Sequence, residues 1–275
     1  MPRDAHSRLA LARFTPDFGK TAEDYRKHRA GFPASLFDRL SLVGIGVPGQ
    51  VVVDLGTGTG TLARGFARRG CHVIGIDSAG AMLAEARRLD VEAGVEIEYR
   101  EAPAEETQLG AGTVDVVAAG QCWHWFDRPR AAREAARILR PDGRLVIAHF
   151  DWIPLPGNLV QATEELIAAH HPGWRYGGGL GIYLPWLRAP WLRDLGEAAF
   201  REIETFSYDV DVAYTPESWR GRVRASNGVG ATLPPEQVAA FDRALAALLA
   251  ERFPGATLIV LHRVFAVLAR APAPA

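Results

Sequence analysis

The stretch VVVDLGTGTG, residues 51–60, puts Gly56, Gly58 and Gly60 at alternate positions after a run of valines. Glycines in such a turn let the backbone approach a ligand closely and permit positive φ. Asp54 precedes the first glycine by two residues, and Asp77 closes the next apolar run, VIGID. A carboxylate at that second strand end can accept hydrogen bonds from both hydroxyls of a ribose. Farther on, AAGQCWHWFD, residues 118–127, crowds Trp123, His124, Trp125, Phe126 and Asp127 against a strand end. A buried strand favours Val and Ile, and a solvent loop Gly, Ser and Asn, so that much ring surface reads as a wall. Its one titratable ring, His124, changes charge near neutrality. It is a base, a hydrogen-bond donor to an acidic acceptor, or a structural residue tied to a carbonyl, and the sequence leaves all three open.

The glycine turn indicates a nucleoside-containing cofactor. Gly58-x-Gly60-x-x-Ala63 also fits the dinucleotide fingerprint, but a dinucleotide brings a pyrophosphate to this turn, where Asp54 would repel it. A cofactor with a cationic amino-acid end would be welcomed there. S-adenosyl-L-methionine has an ammonium, a sulfonium and an adenosine, so Asp54 and Asp77 together favour it over NAD.

These residues need a frame. QVVVDLG, HVIGID, VEIEYR, TVDVVAAG and RLVIAHF read as strands, alternating with helices such as TLARGFARRG, AMLAEARRLDVEA and RPRAAREAARILR. That alternation means βαβ units and a parallel sheet with helices on both faces. Pro141-Asp142-Gly143 stops the fourth-strand helix. After Phe150 the rhythm breaks into a helix capped by Asn158, the aromatic and glycine-rich PGWRYGGGLGIYLPW, an alternating strand near 200–213, and a helix with Thr215 at the N-cap and Pro216 at N1. PPEQVAAFDRALAALLAERF is a long amphipathic helix and TLIVLHRVFAVLAR a last strand. The expected fold is α/β: a doubly wound, Rossmann-like, mostly parallel seven-stranded sheet with its last strand antiparallel, plus a helical, aromatic cap inserted after the fifth strand. The expected organisation is N-terminal helices over the site (1–48), a cofactor-binding core (49–150), a substrate cap (151–232), and a last helix and strand of the core (233–275).

With 275 residues, 48% hydrophobic and 23% charged, the chain reads as an ordinary globular protein. A net charge of -1 gives no electrostatic case for nucleic acid or an anionic membrane. The N-terminus lacks an apolar secretory region, and the most apolar run is broken by His262 and Arg263. Cys71 and Cys122 demand no disulfide, and no metal-ligand spacing is evident. A cytoplasmic protein, monomeric or homodimeric, acting on a small molecule is expected.

VVVDLGTGTG, VIGIDSAGAMLAEAR, YREAPAEETQLGAGTVDVVAAGQCWHWFD and AARILRPDGRLVIA, in that order over residues 50–148, resemble the class I S-adenosylmethionine-dependent methyltransferases. The chain is most similar to the trans-aconitate methyltransferase-like branch, with His-Trp-Phe after the fourth strand and an N-terminal helix carrying Tyr25 and Arg29. The resemblance implies that Gly56, Gly58 and Gly60 line the methionyl moiety with Asp54 orienting the loop. It implies Asp77 on the ribose, Met82 on the adenine face, Ala104 and Glu105 at the adenine edge, and Gln121 beside the sulfonium. Ala79 replaces a serine frequent in the family, so position 79 carries no role. Acceptor contacts fall to Tyr25, Arg29, His124, Trp125, Trp219 and Arg222, with His124 as catalytic candidate. Trp123 and Phe126 are expected to pack under the next helix. A carboxylate acceptor needs an arginine fork, for which Arg29, Arg220, Arg222 and Arg224 are candidates.

The expected activity is methyl transfer to a small acceptor, with a carboxylate oxygen as one target. Cyclisation of the cofactor, a nicotinamide dehydrogenase and a non-catalytic cofactor sensor are the competing readings.

Overall fold

The computed structural model describes residues 31–172, 174 and 189–273. The described chain carries a seven-stranded sheet in the order β3-β2-β1-β4-β5-β7-β6. Its strands are β1 (Val51–Leu55), β2 (His72–Asp77), β3 (Glu98–Glu101), β4 (Val114–Gly120), β5 (Leu139–Trp152), β6 (Arg201–Tyr214) and β7 (Leu258–Arg270). β1 pairs in parallel with both β2 and β4, β2 with β3, and β4 with β5, whereas β7 pairs antiparallel with β5. Strand order reverses between β1 and β4, so the carboxyl ends of those two strands form the switch point where such sheets bind ligands.

The helices are α1 (Ala34–Leu42), α2 (Thr61–Ala67), α3 (Gly80–Ala93), α4 (Arg128–Ile138), α5 (Leu159–His170), α6 (Ala189–Glu197), α7 (Pro216–Arg224) and α8 (Pro235–Arg252). The chain forms two compact units. The sheet unit covers described residues 31–153, 189–211 and 261–273. β1 alternates as an inner strand must: Val53 and Leu55 join a core with Val117, Trp123, Ile147, Trp191 and Phe265, so Val52 and Asp54 point to the other face. The edge-to-face pair Phe37–Phe66, centroids 5.2 Å apart, joins α1 to α2. Under the glycine turn a buried ion pair, Arg64 Nη1 to Asp90 Oδ1 at 2.9 Å, joins α2 to α3.

The helical unit covers described residues 154–172, 174 and 212–260. Asn158 caps α5 by accepting from Gln161 N at 2.8 Å, and Thr215 with Ser218 forms a capping box on α7. Phe241, Leu245 and Leu249, spaced four apart on α8, are its buried stripe. Arg220 and Arg224 both bond Asp242 and so tie α7 to α8.

The mostly parallel seven-stranded sheet and its antiparallel last strand are as expected. α8 groups with α5 and α7, on which its apolar stripe packs, whereas α1, α6 and most of β6 group with the sheet. β5 also starts earlier than expected, at Leu139, directly after α4. Asp142 there adopts φ +63, turning the chain without interrupting the strand.

Candidate functional site

The glycine turn leaves β1 and enters α2 with Gly56, Gly58 and Gly60 at φ +61, +56 and +78. The requirement for glycine is steric as well as conformational. A Cβ on Gly56 would lie 2.9 Å from both Cys122 Sγ and Phe126 Cζ, and one on Gly60 2.5 Å from Tyr99 Oη. Asp54 holds the turn from behind. Its Oδ2 accepts from Thr57 Oγ1 at 2.7 Å and from Ala63 N at 3.2 Å. The residue is 1% exposed, and Oδ1 is buried with no hydrogen-bond partner. Burial pushes its pKa up to about 7, although Thr57 and Ala63 pull the other way. Asp77 holds the turn from the side: Oδ2 accepts from Gly58 N at 2.8 Å and Oδ1 from Ala79 N at 2.9 Å. A carboxylate has lone pairs for further bonds after these two.

Met82 is 7% exposed on α3, and its Cε lies 3.5 Å from where a Cβ of Gly58 would stand. Ala104 is buried, and Glu105 Oε1 accepts from Asp127 N at 2.7 Å, at the entrance to α4. Gln121 takes φ +59 immediately after β4. Its amide nitrogen donates to Phe150 O and, at 3.2 Å, to Asp151 Oδ1. Thus Asp54, the three glycines, Asp77, Met82 and Gln121 gather at the carboxyl ends of β1, β2 and β4.

The aromatic run is a short 3₁₀ turn, Trp123–Trp125, followed by Asp127, whose side chain caps α4. Trp123 is wholly buried and meets Phe126 edge-on at 5.8 Å. Trp125 is 41% exposed, and its ring lies 4.7 Å from that of His124. Of the four rings, then, Trp123 is core, while His124 and Trp125 are at least partly exposed. Cys122 Sγ donates to Leu55 O at 3.1 Å, tying this turn to the end of β1.

Two residues beside this turn were not singled out from sequence. β5 overshoots β4: the last paired residues are Gly120 and Ala148, and β5 continues through His149 and Asp151. Those two lie on one face of the strand. His149 is 2% exposed, its Nδ1 is 3.4 Å from Asp151 Oδ2, and its ring is 5.6 Å from His124 and 5.1 Å from Trp191. The signal was available, since a buried strand ending in His-x-Asp places two polar groups past its neighbour on one side.

The expected acceptor contacts of the cap fare differently. Trp219 has no exposed surface. It packs on Tyr214 at 5.3 Å and donates from Nε1 to Thr163 Oγ1 at 3.2 Å, so it is core of the helical unit and not a presented wall. Arg220 and Arg224, four apart on α7, are committed to Asp242 and Glu217. The two guanidiniums draw the Asp242 carboxyl below its usual range, outweighing the burial that would raise it. Arg222 is half-buried. Tyr25 and Arg29 lie outside the described residues. Among the described residues no three His, Cys, Asp or Glu side chains are grouped to hold a metal, and no helix is long and apolar enough to cross a membrane.

Comparison with known proteins agrees with this geometry. Residues 53–147 match the family described as "Methyltransferase domain". An uncharacterized methyltransferase of Mycobacterium bovis is 36% identical over 128 residues, 46% of this chain and 49% of that protein. The chain therefore spans about half the length of that relative. The ubiquinone biosynthesis O-methyltransferase of Xanthomonas axonopodis pv. citri is 30% identical over 185 residues, 65% of this chain and 72% of that protein. A Haemonchus contortus N-methyltransferase, solved with phosphomonomethylethanolamine and S-adenosylhomocysteine, shares the fold with a TM-score of 0.53 at 19% identity, over 91% of this chain and 57% of that one. The chain belongs to the class I S-adenosylmethionine-dependent methyltransferase family.

Proposed function

We propose that the protein transfers the methyl group of S-adenosyl-L-methionine to an oxygen atom of a small-molecule acceptor. The observation that carries this reading is the glycine turn at the switch point, with three positive-φ glycines clamped between Asp54 and Asp77. The residues present suit that cofactor. Asp77 keeps acceptor capacity for ribose hydroxyls, Met82 offers an apolar face, and Asp54, through Thr57 and Ala63, holds the glycine turn in the shape that admits a methionyl end. When bound, the cofactor supplies a methyl group activated by its sulfonium.

The chain's own residues do the rest. Gly56 and Gly58 admit the methionyl end, Ala104 and Glu105 border the adenine, and Gln121, held by Phe150 and Asp151, flanks the transfer line. His124 and Trp125 face the acceptor, where aromatic surface excludes water and tolerates positive charge. The name of the Xanthomonas relative supports oxygen as the atom methylated. The likeness to the trans-aconitate branch, carried by Tyr25, Arg29 and His124–Phe126, supports a small acid among the acceptors to be tried. Arg29 and Arg222 are the arginines proposed for such an acid.

Calorimetric titration with S-adenosylhomocysteine, with NAD as control, tests the cofactor. Saturable micromolar binding of the former alone is expected, and binding of NAD instead would overturn the reading. A radiolabelled methyl screen of small acids and phenols then tests the acceptor.

A further inference from the structure

We propose that His149, with the Asp151 carboxylate beside it, is a positioning residue that acts electrostatically through His124, and that the acceptor is consequently a protic oxygen, a phenol or an enol. This rests on the methyl-transfer reading above.

The argument begins with where the pair stands. His149 and Asp151 lie beyond the last residue of β4, on the side of β5 that carries Trp191 and Phe265. That is the ligand end of the sheet. A histidine that is 2% exposed costs folding energy for its desolvated polar atoms, and apolar packing alone would be served better by Leu or Phe. Asp151 stands 3.4 Å away and is itself fixed by Gln121 Nε2 at 3.2 Å. The carboxylate is not diverted by the arginine facing it across the sheet. Arg263, its register partner on β7, bonds both oxygens of Asp209, at 2.6 and 2.9 Å.

His124 completes the line. Its ring lies 5.6 Å from that of His149, at 43°. The titratable groups facing His149 in the described structure are His124 from the 3₁₀ turn and Asp151 from β5. α6 brings the neutral ring of Trp191, and the nearby Asp194 of that helix is bonded by Arg128 at 2.8 Å. Carboxylate, imidazole and imidazole thus run in sequence from Gln121's anchor to the half-exposed His124. A negative charge behind two imidazoles stabilises a proton arriving on either. This arrangement suits an acceptor that must lose a proton as it reacts, and a carboxylate has none to lose at neutral pH.

The step balances simply. The acceptor O–H gives its proton to the imidazole of His124, and the O–H pair becomes the lone pair that forms the new C–O bond to the transferred methyl. The C–S pair remains on sulfur, leaving a neutral thioether, a methyl ether and an imidazolium backed by His149 and Asp151.

The test uses Asp151→Asn and His149→Gln with 4-methylphenol, 4-cyanophenol and 4-nitrophenol, a series of rising acidity, and with benzoate. Asn keeps an oxygen for Gln121 and removes the charge, so the first variant is the gentler one. In both, kcat for 4-methylphenol is expected to fall at least about tenfold, a general-base effect, while 4-nitrophenol, largely ionised at pH 8, loses little. S-adenosylhomocysteine affinity should stay within about twofold, since neither residue is placed on the cofactor. A readout independent of turnover is ¹⁵N-imidazole NMR of the protein alone: Asp151→Asn should lower the His149 titration midpoint by about 1 pH unit. Equal losses across the phenols, or an unmoved midpoint, would make the pair merely structural and overturn the proposal. Methylation of benzoate with no phenol accepted would overturn it while leaving methyl transfer intact. Absence of S-adenosylhomocysteine binding by the unsubstituted protein would instead remove the reading beneath it.

Discussion

Above neutral pH the fold must hold an ionised carboxylate at Asp54 where water cannot reach it. Burial raises this pKa from 3.8 to about 7, against the pull of Thr57 and Ala63. A folded pKa above the unfolded one means that the native state holds the proton more tightly. The associated stability is complete below pH 3.8 and is lost as pH rises through about 7. Between pH 5 and pH 8 these values correspond to a loss of about 2–3 kcal/mol, a large share of ordinary domain stability. Asp54→Asn removes the titration. Asparagine keeps an oxygen for Thr57 and Ala63 but puts an amide N–H₂ where Oδ1 has no partner, at a pH-independent cost of about 1–3 kcal/mol. The expected outcome is that the wild-type protein exceeds the variant at pH 5 and loses its lead, or falls behind, at pH 8. Urea unfolding of both proteins at both pH values measures this. Only the difference between them is used, because other titrating groups then cancel. A wild-type-minus-variant difference that stays constant from pH 5 to pH 8 would refute the raised pKa and with it the buried, half-satisfied placement of Asp54.

The remaining predictions concern the same end of the sheet and its support. Gly60→Ala should cost at least about 1–2 kcal/mol from the left-handed backbone alone, and more from the approach to Tyr99 Oη; a variant with unchanged urea midpoint would contradict the turn geometry. Asp77→Ala should weaken S-adenosylhomocysteine binding more than about tenfold, the loss expected of charge-assisted hydrogen bonds, with an unchanged circular dichroism spectrum. Unaltered affinity in calorimetry would move the ribose contact elsewhere. His124→Ala should lower turnover more than it lowers cofactor affinity, and a parallel fall in both would make His124 structural. Glu134 accepts from Thr107 N and Oγ1 and from Arg137; burial would raise its pKa, but these bonds outweigh that and bring it to about 2. Glu134→Gln should therefore destabilise by about 2 kcal/mol at pH 7, with the penalty shrinking as pH falls from 4.5 toward 2, as thermal melts across that range would register.

The sequence determined the frame of this protein because its signals are local. Valine runs closed by glycine, a helix ended by Gly94, and the caps at Asn158 and Thr215 each follow from residues within a few positions of one another. Alternation of strands and helices then admits few topologies, and the switch between β1 and β4 is among them. The glycine turn was legible for the same reason. What the tertiary structure decided is which polar groups meet and which are already engaged. Asp54 reads from sequence as a charge beside a ligand, but the fold buries it behind the turn. Trp219, Arg220 and Arg224 read as acceptor contacts, but a neighbouring Thr163 and Asp242 claim them. His149 and Asp151 look like the tail of an ordinary buried strand, and they gain meaning only because β5 outruns β4 and brings them beside His124 and Gln121. Partners such as these lie 25 to 30 residues apart in the chain. No periodicity encodes such a pairing. It is fixed by strand register and by the competition of all nearby donors and acceptors for one another in three dimensions.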